Sequence, residues 1–425
     1  MSKKLLYDVK DRPPALQCFV LAIQHVFAMF GATIMVPMMI NNACGTEVIS
    51  IPMALMCCGV GTLLYLLCTK GRSPVFLGSS FAFITPVVAV FGRDGVSGFA
   101  SGIITVGFIY ILFALLVKGF GKNWIRKLLP PIVVGPMIMI IGLSLAPNAI
   151  SQMGLMGGDS VDWKPILVAL VSFATTCFVA IYAKGFFKVI PFLLGIVAGY
   201  IVSVIIGIVD FTPIEEASIF SVPNFLIPFK DYSFNVAGMI TMAPIAIVSI
   251  AEHIGDHMAL SSIIGKDLTQ DPGLDRTLLG DGCATLFAGL FGGPANTTYG
   301  ENTSVVGMSK VASVWVIGLA AIIAICLAFF GTIAAALSTI PAPVLGGVSL
   351  LLYGFISVNG LKVLIENQID FNDIKNVIIA STMLILGLGG AIITIGGGDF
   401  TVSLTGMSLA AIVGILLNLL LKNSK

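Results

Sequence analysis

The chain has 425 residues, of which 57% are hydrophobic and only 10% charged, with a mean hydropathy of +1.05. Soluble domains carry about 25% charged residues, so a water-soluble core is excluded as the home of this much apolar chain and the solvent must be lipid. A net charge of +1 gives no sign of a nucleic-acid partner.

Residues 1–14 are polar and basic, and the apolar run after them is too long for a cleaved signal peptide, so the first span is expected to remain as an anchor. Runs of about 20 apolar residues mark spanning helices. They are expected over residues 15–40, 52–69, 76–92, 97–117, 127–147, 164–183, 187–208, 234–259, 273–292, 297–309, 311–335, 342–361, 374–390 and 401–421. The third and tenth of these are weak by hydropathy. With a cytoplasmic N-terminus and fourteen crossings, every one of the 22 Lys and Arg residues except Arg93, Lys164 and Lys230 falls on the cytoplasmic side, as the positive-inside rule requires. Omitting the third and tenth segments would invert the fourth to ninth and send the basic cluster at 118–127 outside. Both therefore count as crossings, though not as continuous helices, and both termini are expected in the cytoplasm.

Pro130-Pro131-Ile132-Val133-Val134-Gly135 resembles Pro341-Ala342-Pro343-Val344-Leu345-Gly346. Each opens the fifth helix of a seven-segment half, and the two weak segments occupy equivalent places in the halves. Because seven is odd, the second half is inverted. The expected fold is an all-α polytopic membrane protein of 14 transmembrane segments in two inverted 7-segment repeats. Matched breaks in such repeats mark a transporter site near the bilayer midplane. The first break is Gly78-Ser79-Ser80-Phe81-Ala82-Phe83-Ile84-Thr85-Pro86. The second is Asn296-Thr297-Thr298-Tyr299-Gly300-Glu301-Asn302-Thr303, with a helix expected to start near Gly300 and aim free N–H groups at the site. Extended backbone at this depth needs protein or a polar cavity to satisfy it. The competing reading is a Ser/Thr-rich helix making interhelical contacts.

Glu252, His253, Asp256 and His257 lie inside the eighth segment, where each charge costs at least about 2.5 kcal/mol at the bilayer centre. Glu252 and Asp256 share one helical face, and His253 and His257 another. Glu252, Asp256 and Glu301 are the candidate site carboxyls. A carboxyl taken out of water holds a proton more readily, and in that form it both donates and accepts hydrogen bonds. That suits a planar ligand with adjacent N–H and C=O groups and makes these three, with His253, candidates for proton coupling. Alternatively they pair with His25, His253 or His257 to hold helices together, and Gln24 and His25 orient a site carboxyl. The His253-Ile254-Gly255-Asp256-His257 spacing also fits an inverted zinc site, but Asp is atypical there. The eight cysteines show no Cys-x-x-Cys pair. Neither a metal nor an organic cofactor is expected, only a proton as coupling ion, and an enzyme is disfavoured.

Gln24-His25-Val26-Phe27-Ala28-Met29-Phe30-Gly31-Ala32-Thr33, Gly78-Ser79-Ser80-Phe81-Ala82-Phe83, Ala251-Glu252-His253 and Asn296-Thr297-Thr298-Tyr299-Gly300-Glu301-Asn302 together resemble the nucleobase–ascorbate transporters (nucleobase:cation symporter-2), and within them the bacterial uracil permease branch. The resemblance runs from about residue 12 to 421. It implies a core domain from residues 1–120 and 233–338, a gate domain from residues 121–232 and 339–425, and short antiparallel β-strands in segments 3 and 10. It implies a proton-coupled importer of the plasma membrane, often a homodimer through the gate domain. By motif, Glu252 and Glu301 would hydrogen-bond the base, Phe81 and Gly300 would offer backbone groups, and Tyr299 would line the site. Gln24, His25, Ser80 and Asn302 would support it. Asp256 stands where some uracil permeases carry a second His, and an acidic residue there is also a feature of purine-transporting relatives and of other uracil permeases. Uracil is favoured by the Ser-Ser-Phe-Ala-Phe run, with a xanthine or urate permease as the alternative. A passive channel or an anion exchanger on the same fold is more distant, since an anion exchanger would place a cation at the breaks.

Overall fold

The computed structural model describes residues 5–156, 162–397 and 400–421. Helix α1 (Ala15–Cys44) stops where Gly45 adopts φ 66°, the left-handed conformation that ends helices. Helix α2 (Ile51–Cys68) starts from Ser50, whose hydroxyl accepts from the Met53 amide, with Pro52 in the first turn. The chain then runs through strand β1 (Leu77–Ser79) and a 3₁₀ turn at Phe81–Phe83 into α3 (Ile84–Phe120). Gly95 interrupts α3 at φ 61°, ψ −152°, so the spans expected over 76–92 and 97–117 meet at that glycine.

Two short helices, α4 (Asn123–Leu128) and α6 (Ala146–Gln152), flank α5 (Pro131–Ser144). They are followed by α7 (Trp163–Tyr182), α8 (Pro191–Ile205) and the single turn α9 (Thr212–Glu215). The Asn235 side chain caps α10 (Val236–Ile264) through the Gly238 amide. Next come α11 (Leu274–Phe291), β2 (Asn296–Thr298), α12 (Gly300–Ser309), α13 (Val314–Leu327), α14 (Gly331–Ser338), α15 (Ala342–Glu366) and α16 (Ile374–Leu388). The chain ends with β3 (Ile392–Gly397), β4 (Phe400–Thr405) and α17 (Gly406–Leu420). Among the described residues seven helices are long and apolar enough to cross a membrane, and four more are apolar but shorter. The protein is a mostly helical, multi-pass membrane protein.

Two expected spans differ. The one over 311–335 is α13 and α14 separated by a turn. There Ser221 N–H donates to Phe329 C=O and Gly331 N–H to Ile219 C=O, and these external partners draw the backbone out of helix. The span over 401–421 is helical only from Gly406. Its first residues form β4, paired antiparallel with β3 from Ile392↔Thr405 to Gly397↔Phe400. The β-branched run Ile392-Ile393-Thr394-Ile395 and the alternation Thr401-Val402-Ser403-Leu404 favour strand, and apolar-run counting overlooked both.

The helices pack in two groups. In one, α3 lies against α10 and α11, α2 against α11 and α13, and α1 against α13. In the other, α5 and α7 lie against α15, α7 against α8, and α16 against α17 and α5. Glycines set both spacings, as small residues do in membrane interfaces. A Cβ at Gly238 would stand 2.5 Å from Gly98 O, and one at Gly360 would stand 2.5 Å from Gly135 O. Helix α10 touches the second group through α5 and α17.

Candidate functional site

The two breaks meet. Strands β1 and β2 pair antiparallel as Leu77↔Thr298, Gly78↔Thr297 and Ser79↔Asn296. Each thereby satisfies backbone groups that lipid could not. Neighbouring elements complete the set. The Leu77 amide donates to Thr62 Oγ1 at 2.9 Å, Ser80 N–H to Ala295 O at 2.9 Å, and Tyr299 N–H to Phe76 O at 3.1 Å. The Tyr299 ring lies directly on Gly78: a Cβ there would stand 2.1 Å from the ring. The Tyr299 hydroxyl accepts from Thr33 Oγ1 and donates to Ser79 O, both at 3.1 Å.

Helix α10 presents its two ionisable faces to different partners. Glu252 and Asp256 face β2. Thr297 Oγ1 donates to Glu252 Oε2 at 3.5 Å, and Thr298 Oγ1 to Asp256 Oδ2 at 2.7 Å. Glu301, in the first turn of α12, is close enough to interact electrostatically with both. The histidines turn the other way. His253 Nδ1 lies 2.8 Å from Asp281 Oδ2 on α11, with both side chains fully buried, and its Nε2 lies 3.1 Å from Thr277 Oγ1. His257 Nδ1 meets His253 O at 2.7 Å and its Nε2 the Tyr65 hydroxyl at 2.6 Å. All four ring nitrogens are thus engaged by protein, and Asp256 points away from them. The H-x-x-D-H spacing does not converge on one point.

Helix α12 opens at Gly300 with Tyr299 as its cap residue, so its first amides are free of intrahelical partners. Nothing lies within 4 Å of where a Cβ at Gly300 would stand, so a flat ligand can approach this turn. His25 on α1 steadies it: the Asn302 amide donates to His25 Nδ1 and His25 O, each at 3.1 Å. Ser80 Oγ and Asn302 Oδ1 are buried without a hydrogen-bond partner among the described residues. Phe81 is buried, its ring edge-to-face with Tyr353 of α15 at 6.1 Å. Gln24 is half-buried and hydrogen-bonds no site carboxyl.

Of the expected residues, Glu252, Asp256, Glu301, Tyr299 and Gly300 cluster at the strand pair, with Phe81 and Ser80 on its other arm. His253 stands apart on the α11 side. Sequence reasoning missed Asp281, Thr297 and Thr298 as partners, and Tyr353 as the contribution of the second helix group. Asp281 could have been found, because an acid inside an apolar span is itself a flag. The pairing of β2 hydroxyls with α10 carboxyls had no local signal.

A permease family model (Xan_ur_permease) matches residues 16–396. The uracil permease of Bacillus subtilis (strain 168) is 45% identical over 100% of this chain and 97% of its own. That of Bacillus caldolyticus is 45% identical over 99% and 95%. Among solved structures, the transmembrane domain of the cyanobacterium bicarbonate transporter BicA matches with a TM-score of 0.60 at 15% identity, over 96% of this chain and 98% of that one, which shows a common fold. The chain therefore belongs to this permease family, the nucleobase–ascorbate transporters to which its four motifs pointed, and it is a transporter rather than an enzyme.

Proposed function

We propose that the chain is a uracil importer driven by protons. Full-length identity of 45% to uracil permeases carries the substrate. The observation that carries the mechanism is the set of three carboxyls, Glu252, Asp256 and Glu301, gathered against β2 and the open turn at Gly300. Uracil offers alternating N–H and C=O groups on one edge. Glu252 and Glu301 would take the N–H groups, and the backbone at Phe81 and Gly300 the carbonyls. Tyr299 and Phe81 would line the flat faces. A proton on one of the carboxyls would let that group donate to a uracil C=O while accepting from the neighbouring N–H, so proton and uracil would bind and leave together. Because these carboxyls interact, the proton belongs to the set rather than to one residue.

In this reading the group built on α1–α3 and α10–α13 is the core domain and the other is the gate domain, and each of the two inverted seven-segment halves contributes to both. The core carries its cargo past the gate by an elevator-like or rocking motion. The protein sits in the plasma membrane with both termini cytoplasmic and pairs through its gate domain. The test is radiolabelled uracil uptake into proteoliposomes, with and without an inward proton gradient, for wild type and Glu301→Gln. Gradient-driven accumulation that unlabelled uracil competes, xanthine does not, and the substitution abolishes is expected. Competition by xanthine would move the substrate to purines. Uptake indifferent to the gradient would overturn the proton coupling, and uptake indifferent to Glu301→Gln would overturn the site.

A further inference from the structure

The last turn of α3 meets the first turn of α11 at a cavity of about 240 Å³. Lys118 lines it from α3 and Arg276 from α11, with Asp275, Leu115 and Leu279 beside them. Lys118 lies at the carbonyl end of its helix, where the dipole favours a cation. Arg276 has no such support. It lies in the first turn of α11, at the positive end of the dipole, where a cation is disfavoured. Among the described residues neither Lys118 nor Arg276 has an ion-pair partner. The carboxylate at the cavity turns back on its own loop: Asp275 Oδ1 lies 2.5 Å from where a Cβ at Gly273 would stand. Two cations against one carboxylate leave the cavity with an excess of positive charge.

An apolar stripe leads away from this cavity. Phe108, Leu112 and Leu115 are 57%, 52% and 58% exposed, and they recur on one face of α3 at i, i+4 and i+7. Helices α3 and α11 approach too closely to bury large side chains between them. A Cβ at Gly107 would stand 2.6 Å from Leu286 N, and one at Gly282 would stand 2.9 Å from Ile111 Cγ1. A soluble anion would use the two cations and leave the stripe unused, whereas a lipid uses both. We propose that the cavity seats an anionic phospholipid of the phosphatidylglycerol type. Its phosphodiester bridges Lys118 and Arg276, and one acyl chain lies along Phe108, Leu112 and Leu115. Basic pockets between membrane helices take such headgroups, and the Arg fork matches two phosphate oxygens at once. A choline headgroup would bring a further cation to a site that already has one in excess. The seat uses none of the residues at the strand pair, so it is independent of what the protein carries.

The test is native mass spectrometry of the full chain in detergent, titrated with dioleoyl phosphatidylglycerol or dioleoyl phosphatidylcholine. Wild type should hold a phosphatidylglycerol molecule in preference to phosphatidylcholine, a comparison that needs no variant. The double variant Lys118→Gln, Arg276→Gln should bind phosphatidylglycerol about 30-fold more weakly, the worth of two cations at an anionic membrane surface. Lys118→Arg with Arg276→Lys keeps both charges and should keep the preference. Lys362→Gln removes an exposed cation from α15 and should bind as wild type does. Equal affinity of wild type for the two lipids would overturn the seat, and so would wild-type binding by the double Gln variant. Displacement of the lipid by an equal concentration of inorganic phosphate would overturn it too, because the cations would then serve a soluble anion.

Discussion

Tyr299 can bridge Thr33 and Ser79 only because Gly78 leaves its ring room to lie on the strand. Gly78→Ala puts a methyl inside that ring and forces it off β1. Overpacking of this kind costs about 1–3 kcal/mol. It should lower the unfolding temperature in detergent and abolish uptake, because the ring roofs the strand pair. A variant with wild-type uptake would show that Tyr299 is not placed by this contact. Asp281 makes a different prediction. It holds His253 in a fully buried contact, so Asp281→Leu leaves an imidazole nitrogen without a partner, at about 1–3 kcal/mol. Asp281→Asn keeps an oxygen acceptor and should lose less. Thermal unfolding of the two variants side by side measures the difference, and equal loss would mean that shape rather than the hydrogen bond matters.

At the scale of elements, the chain before α1 acts as a strap. Leu6 N–H donates to Lys310 O, Ala312 N–H to Tyr7 O, and Val314 N–H to Val9 O. The strap therefore lies along the α12–α13 connection. Asp8 ties it to the end of α10 through Lys266, at 2.5 Å. The Lys266 ammonium holds the Asp8 carboxyl below its usual range. A depressed carboxyl contributes stability above its unfolded value, about 3.9, and loses it as pH falls through the folded value. The bridge should thus be intact at neutral pH and lost only in acid below about pH 4. Both side chains are about half exposed, so Asp8→Asn should cost at most about 1 kcal/mol. Faster amide exchange at Ala312 and Val314 is the expected signature, and unchanged exchange would show that the backbone pairing suffices alone.

For the whole molecule, the decisive contact is that of α10 with α5. A Cβ at Gly255 would stand 3.4 Å from Ile138 Cδ1, beside the site residue Asp256. If transport moves one helix group past the other, a disulfide between Gly255→Cys and Ile138→Cys should stop uptake, and reductant should restore it, while each single variant still transports. Uptake that persists in the cross-linked protein would overturn the moving-domain mechanism.

The sequence alone determined the solvent, most helix positions, both breaks and three carboxyls inside apolar segments. Each is written in local composition: apolar runs, Ser/Thr-rich interruptions, and acids where lipid penalises charge. The i,i+4 spacing also assigned Glu252 and Asp256 to one face and His253 and His257 to another. Only the tertiary structure decided what those faces meet. Asp281 lies 28 residues from His253 and Thr298 lies 42 from Asp256. Such pairings depend on how helices cross, not on any local pattern. The β3–β4 hairpin was missed because a short apolar strand and the start of an apolar helix have the same hydropathy. Pairing distinguishes them, and pairing exists only once the chain has folded.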